Sequence, residues 1–156
     1  MSESPRVLVI DDEESIRKTV SMRLENAGYI VDTAENGKEA IEKSEANFYN
    51  LALIDIRLPD MDGTELLTAM KERTPRMIKI ILTGYPALQN SVKAINKGVD
   101  YYIIKPVDTG ELLRVIKEQL EKQKREREYD QQKLAQFVET RFKELEAEEP
   151  DSSKST

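Results

Sequence analysis

A chain of 156 residues with a formal net charge of −6 can bury one core of ordinary size, and its acidity disfavours nucleic acid or an anionic membrane as a nonspecific partner. It contains neither Cys nor His, which excludes disulfides, thiolate and zinc–histidine sites, thiol nucleophiles and imidazole bases, and leaves carboxylate, hydroxyl and lysine chemistry. No apolar run approaches the roughly 18 to 20 residues of a membrane span, and "MSESPR" lacks the plan of a signal peptide, so a cytoplasmic chain with no membrane contact is expected.

The first apolar run, "VLVI" at Val7 to Ile10, is short, β-branched and followed at once by polar residues, which predicts a buried strand. Ile16, Val20 and Leu24 then recur at helical spacing up to Gly28, before "YIVDTA" at Tyr29 to Ala34 returns to extended character and Asn36-Gly37 turns the chain. The alternation continues with a helix near Lys38 to Ala46, a strand at Leu51 to Ile54, a helix from about Thr64 to Glu72 and a strand at Ile78 to Leu82. Leu88, Val92 and Ile95 mark a further helix ending at Gly98, Tyr101 to Ile104 a fifth strand, and Leu112, Leu113, Ile116 and Leu120 a fifth helix. Strands alternating with helices in this way predict a parallel α/β sheet covered on both faces.

The core pattern stops near residue 120. "EKQKRERE" carries no apolar side chain, and half of the residues from 121 to 156 are charged. Yet Leu134, Phe137, Val138, Phe142 and Leu145 share one helical face, so residues 121–149 read as a charged helical extension or linker and 150–156 as a disordered tail. The apolar stripe needs a cover, and a homodimer through this helix is one expectation, folding back or a linker cut short being the others. The register of Leu113, Ile116 and Leu120 meets Gln123 and Arg127, which interrupts a continuous heptad pattern.

A buried strand that ends on a charge, as "LALIDIRLPDMDG" does at Asp55, needs a reason. In an open α/β sheet the carboxyl ends of the strands border the ligand crevice. Asp11 and Asp12 end the first strand, Asp55 the third, Thr83 the fourth and Lys105 the fifth, so parallel strands bring all five to one rim. Singly, each has an ordinary explanation as a helix cap, turn former or solvated charge. Jointly they form a site. Three clustered carboxylates call for a cation, and Mg²⁺ prefers one or two carboxylates beside phosphate oxygens. With Lys105 as a cation and Thr83 as a hydroxyl donor, the rim can hold a phosphoryl group while one carboxylate attacks phosphorus.

The motifs "VLVIDDE", "AENGKEA", "LALIDIRLPDMDG", "IKIILTGYP" and "GVDYYIIKP", in this order and spacing from about Arg6 to Leu120, resemble the receiver domain of two-component response regulators. The resemblance implies a flavodoxin-like, doubly wound five-stranded sheet of order 2-1-3-4-5 over residues 1–120. It implies that Asp55 is the phosphoacceptor for a sensor histidine kinase or phosphotransfer protein, and that Asp11, Asp12, Asp55 and the backbone carbonyl of Arg57 hold Mg²⁺. Thr83 and Lys105 are then the hydroxyl and the lysine that meet the phosphoryl group, Thr83 and Tyr102 form the switch, and Pro106 follows a cis bond. Arg57 and Tyr85 resemble the variable positions that tune phosphoryl lifetime. Val107 departs from the family, where an aromatic residue is common.

Two other classes fit less well. A haloacid-dehalogenase-like phosphatase also uses an aspartyl phosphate, magnesium and a lysine, but its nucleophile lies on the first strand in D-x-D, where this chain has Asp11-Asp12-Glu13. A phosphorylation-independent adaptor working through its helical tail has no need of the five polar strand-end residues. Neither an enzymatic output nor a nucleic-acid contact is legible after Leu120, and no G-x-x-x-x-G-K-[ST] loop is present.

Overall fold

The structure, a computed structural model, describes residues 4–84 and 99–153, with side chains to residue 148. The elements are β1 (Arg6–Ile10), α1 (Glu14–Asn26), β2 (Ile30–Ala34), α2 (Gly37–Ala46), β3 (Leu51–Asp55), α3 (Gly63–Arg73), β4 (Ile78–Thr83), β5 (Tyr101–Ile104) and α4 (Thr109–Ser153). The helix expected around Leu88, Val92 and Ile95, and Tyr85, lie outside the described residues. The sheet has five parallel strands in the order β2-β1-β3-β4-β5.

Continuous apolar strands follow from burial on both faces. On one face Val7, Val9, Leu51, Leu53, Ile80, Leu82 and Ile103 pack with Val20 and Leu24 of α1 and with Leu112, Val115 and Ile116 at the start of α4. On the other, Leu8, Ile10, Ala52, Ile54 and Ile81 pack with Ala40 of α2 and with Leu66, Leu67 and Met70 of α3. The strand residues alternate between the two clusters with period two, as a pleated backbone requires. Val107, where the family favours an aromatic residue, is partly buried against the first cluster.

A lysine lies inside this apolar frame. Lys79 on β4 is 2% exposed, and its Nζ donates to the carbonyls of Thr74 at 2.9 Å and Met77 at 2.8 Å. Burial pushes its ammonium below the usual lysine range, while Asp100 opposes that shift. The Asp100 carboxylate also accepts from the Lys79 backbone N–H at 2.8 Å.

Local signals account for the helix ends. Asn36 caps α2 by accepting the Glu39 N–H, Asp62 caps α3 by accepting the Thr64 N–H, and the Asp108 carboxylate accepts the N–H of Gly110 at the start of α4. After α1 the chain turns through Gly28 at φ +99°, a left-handed conformation that glycine adopts without strain.

The chain divides into two compact units, Met1–Leu120 and Glu121–Thr156. The second continues α4, a helix of 45 residues that runs through Ser153, whereas the sequence places the start of an unstructured tail at Pro150. In this unit Tyr129, Leu134, Phe137, Val138, Phe142 and Leu145 are all exposed. Among the described residues no helix is long and apolar enough to cross a membrane.

Candidate functional site

Asp55 is the last residue of β3 and Thr83 the last of β4, while Asp11 and Lys105 directly follow β1 and β5. The register places Ile10 beside Ile54, Asp55 beside Leu82 and Thr83 beside Ile104, so the strand ends form one rim. Both Asp55 and Thr83 belong to their strands, one residue beyond the apolar runs from which the sequence bounds them.

Carboxylate oxygens of Asp11, Asp12 and Asp55 lie within 4.8 Å of one another. Asp11 and Asp55 are buried, at 1% and 5% exposure, and Asp12 is open to solvent. The two buried groups are held alike. Asp11 Oδ1 accepts the Glu13 N–H at 2.9 Å, and Asp55 Oδ1 accepts the Arg57 N–H at 3.1 Å. Their Oδ2 atoms face a shared cation: Lys105 Nζ stands 3.6 Å from Asp11 and 3.5 Å from Asp55. Arg17 fixes the loop behind them by donating to the Asp11 carbonyl at 2.7 Å.

Burial raises the Asp55 carboxyl above its ordinary range, and the negative charges of Asp11 and Asp12 add to that rise. The Arg57 N–H and the Lys105 ammonium act in the opposite direction. Asp11 Oδ2 is buried without a hydrogen-bond partner among the described residues, Lys105 reaching it at ion-pair distance and no closer. A buried carboxylate oxygen in that condition, on a rim with two further carboxylates, fits a hard divalent cation.

Thr83 is fully buried, and its carbonyl accepts the Lys105 N–H at 2.8 Å, which ties the hydroxyl-bearing strand end to the lysine. The Lys105–Pro106 peptide bond is cis. Tyr102, paired with Ile81 across the sheet, is half-buried against the second core cluster. Its hydroxyl is buried without a hydrogen-bond partner among the described residues, and burial raises its pKa.

Two residues after Asp55, one in the loop and one opening α3, matter in ways that local sequence signals do not reveal. Asp60 reaches across to the N-terminus of α2, where its two oxygens accept the Gly37 N–H at 2.8 Å and the Lys38 N–H at 2.9 Å. Those bonds hold its carboxyl below the usual range, the Gly37 N–H foremost, against the opposing effect of burial. Gly63 lies so close to the acceptor strand that a Cβ there would stand 2.8 Å from Ile56 Cα and 3.0 Å from the Asp55 carbonyl oxygen. The Gly63 N–H donates to the Ile56 carbonyl at 2.9 Å, and Arg57 pairs with Asp62 in an isolated antiparallel bridge. The loop therefore folds back onto the strand end that presents Asp55.

Residues 7–117 match the family model described as response regulator receiver domain. The transcriptional regulatory protein ResD of Bacillus subtilis is 41% identical over 113 residues, which cover 72% of this chain and 46% of that protein. The chain spans about half the length of the curated relatives it matches. Among solved structures, a CheY-like response regulator receiver domain protein from Methanospirillum hungatei aligns at 46% identity and a TM-score of 0.76, covering 79% of this chain and 98% of that one. The response regulator protein TrrA from Thermotoga maritima, in complex with Mg²⁺ and BeF, aligns at 32% identity and a TM-score of 0.69, covering 74% and 98%.

Proposed function

Because this chain belongs to the response regulator receiver domain family, we propose that it accepts a phosphoryl group on Asp55 and signals through the change in its surface that follows. The observation that carries this reading is the triad of Asp11, Asp12 and Asp55 within 4.8 Å, with Lys105 shared between the two buried members.

The donor is a phosphohistidine on a sensor histidine kinase or phosphotransfer protein. An Asp55 carboxylate oxygen bonds to phosphorus as the phosphorus–nitrogen bond to the donor imidazole breaks, and the imidazole leaves with its electron pair. The chain serves as a regulatory phosphoacceptor that assists its own phosphorylation and dephosphorylation. Asp11, Asp12, Asp55 and the Arg57 carbonyl would hold Mg²⁺, which when bound offsets the charge of the carboxylates and of the phosphoryl oxygens.

The protein's own groups account for the rest. The Arg57 N–H occupies Asp55 Oδ1 and leaves Oδ2 to face Lys105, so Oδ2 is the oxygen poised to attack. Lys105, already placed between two carboxylates, follows the charge to the phosphoryl oxygens. Phosphorylation adds about −1.5 to −2 units of charge at Asp55. Thr83 turns its hydroxyl toward the new oxygens, and Tyr102 moves in response. The Tyr102 hydroxyl, which has no partner among the described residues, supports this, since a buried donor without an acceptor costs about 1 to 3 kcal/mol and so favours rotation to a place where it is satisfied. The signal passes to a partner through this surface or through a homodimer of the C-terminal helix, in the cytoplasm.

Asp55→Ala is expected to abolish labelling by a small phosphodonor or a cognate kinase, with an unchanged circular dichroism spectrum. Acyl phosphate surviving at the wild-type level in that variant would overturn the assignment. In the same preparation Asp12→Ala is expected to weaken Mg²⁺ binding, and equal titration curves for the two proteins would place the metal elsewhere.

A further inference from the structure

The second unit inverts ordinary burial: Leu134 and Phe137 are 63% and 68% exposed on a helix otherwise dense in charge. Arg127, Asp130, Leu134, Phe137, Arg141 and Glu144 recur at alternating spacings of three and four, the a and d positions of a heptad seam. Val138 and Leu145 fall beside it, and Phe142 stays outside. Only the centre of the seam is apolar, with Arg127 and Asp130 on one side and Arg141 and Glu144 on the other.

Which occupant fits such a seam is decided by where its charges meet. In a parallel, in-register pair each residue faces its own copy, so Arg127, Asp130, Arg141 and Glu144 would each oppose a like charge. Reversing one helix about the peptide between Ala135 and Gln136 changes every layer. Leu134 then meets Phe137 of the other copy, Asp130 meets Arg141, and Arg127 meets Glu144. These are also the a-to-d layers that an antiparallel seam requires. Within one chain Arg141 pairs with Glu144 at 3.0 Å on its own exposed surface, a weak pair that is readily exchanged.

We propose that the extension from Arg127 to Glu144 is an antiparallel self-association surface, whose specificity resides in the Asp130–Arg141 and Arg127–Glu144 pairs between copies. This rests on the homodimer reading above and adds to it an orientation and the residues that set it. The two-fold axis gives every pair twice, so a single reversal introduces two like-charge contacts per dimer.

The test uses the full chain and sedimentation equilibrium of Asp130→Arg, Arg141→Asp and the double variant. Each single reversal is expected to weaken self-association about tenfold or more, and the double variant to return to within about threefold of the original. The absence of Cys allows an independent check. Asp130→Cys mixed with Arg141→Cys, one of them tagged, is expected to cross-link between unlike chains. Additive losses without rescue, or disulfides only between equal positions, would overturn the antiparallel arrangement while leaving a dimer. A full chain that stays monomeric at about 1 mM would overturn both the orientation and the homodimer reading. None of these readouts requires phosphorylation, so failure to label Asp55 is told apart from failure to pair.

Discussion

The strand-end rim and the C-terminal helix break the same rule in opposite directions. At the rim, Asp11, Asp55 and Thr83 are buried although polar; in the helix, Leu134, Phe137 and Phe142 are exposed although apolar. Burying like charges costs stability and is retained where chemistry needs a high local charge with one shared counterion. Exposing apolar side chains costs solubility and is retained where another surface covers them. The first violation therefore points inward, to a reaction, and the second outward, to a partner. The apolar frame of the sheet obeys the rule almost everywhere, with Lys79 as its one deeply buried ammonium among the described residues.

The contrast can be broken first at the loop that supports the rim. Gly63→Ala places a methyl group against the Asp55–Ile56 backbone, which has little freedom to retreat, and is expected to cost about 2 kcal/mol in urea unfolding. The same variant should label more slowly at Asp55, since the strand end must shift. Wild-type stability and labelling rate together would show that the close approach is not needed.

Removing a rim charge should have the opposite sign. Asp55→Asn keeps the shape and discards one of the crowded negative charges, and is expected to stabilise the metal-free protein at neutral pH by about 1 kcal/mol. The pH dependence follows from the raised carboxyl of Asp55. The native state holds this proton at pH values where the unfolded chain has lost it, so the wild type loses stability as pH rises through the interval above the ordinary aspartate value of 3.8. Asp55→Asn should flatten that interval in thermal unfolding, and an unaltered slope would remove Asp55 as its source.

A smaller effect is expected at Asp60, where the shift runs the other way. Asp60→Ala strips two N–H groups of α2 of their acceptor, and solvent screening keeps the loss near about 1 kcal/mol. Because this carboxyl is held below its usual range, its contribution is present above the ordinary carboxylate pKa and disappears as pH falls through the lowered one. The variant and the wild type should therefore converge in acid.

The smallest effect sharpens the contrast most. Deleting residues 129–156 removes exposed apolar side chains, so the unfolding free energy of the remaining chain is expected to stay within about 0.5 kcal/mol at low concentration. A larger loss would mean that the helix acts on the folded core rather than on a partner.

Much of this was legible from residue order alone. Short apolar runs located β1, β3, β4 and β5, that of β4 interrupted by Lys79, the extended character of "YIVDTA" located β2, and polar residues at the ends of β1, β3, β4 and β5 could be gathered at one rim because parallel strands share a direction. The stripe on the last helix was visible because helical periodicity is a local property. Tertiary structure decided the rest. Asp60 reads as a turn residue until the α2 N-terminus stands beside it, and Gly63 as a loop glycine until the Asp55–Ile56 backbone fills the space where its Cβ would be. Lys79 reads as a break in an apolar strand until the carbonyls of Thr74 and Met77 supply its acceptors. Residue order settles which segments are strands and which helices carry an apolar stripe, since that information repeats within a few residues. Only the folded chain decided which hydrogen-bond partners and close approaches complete the site, because they join residues that no local period connects.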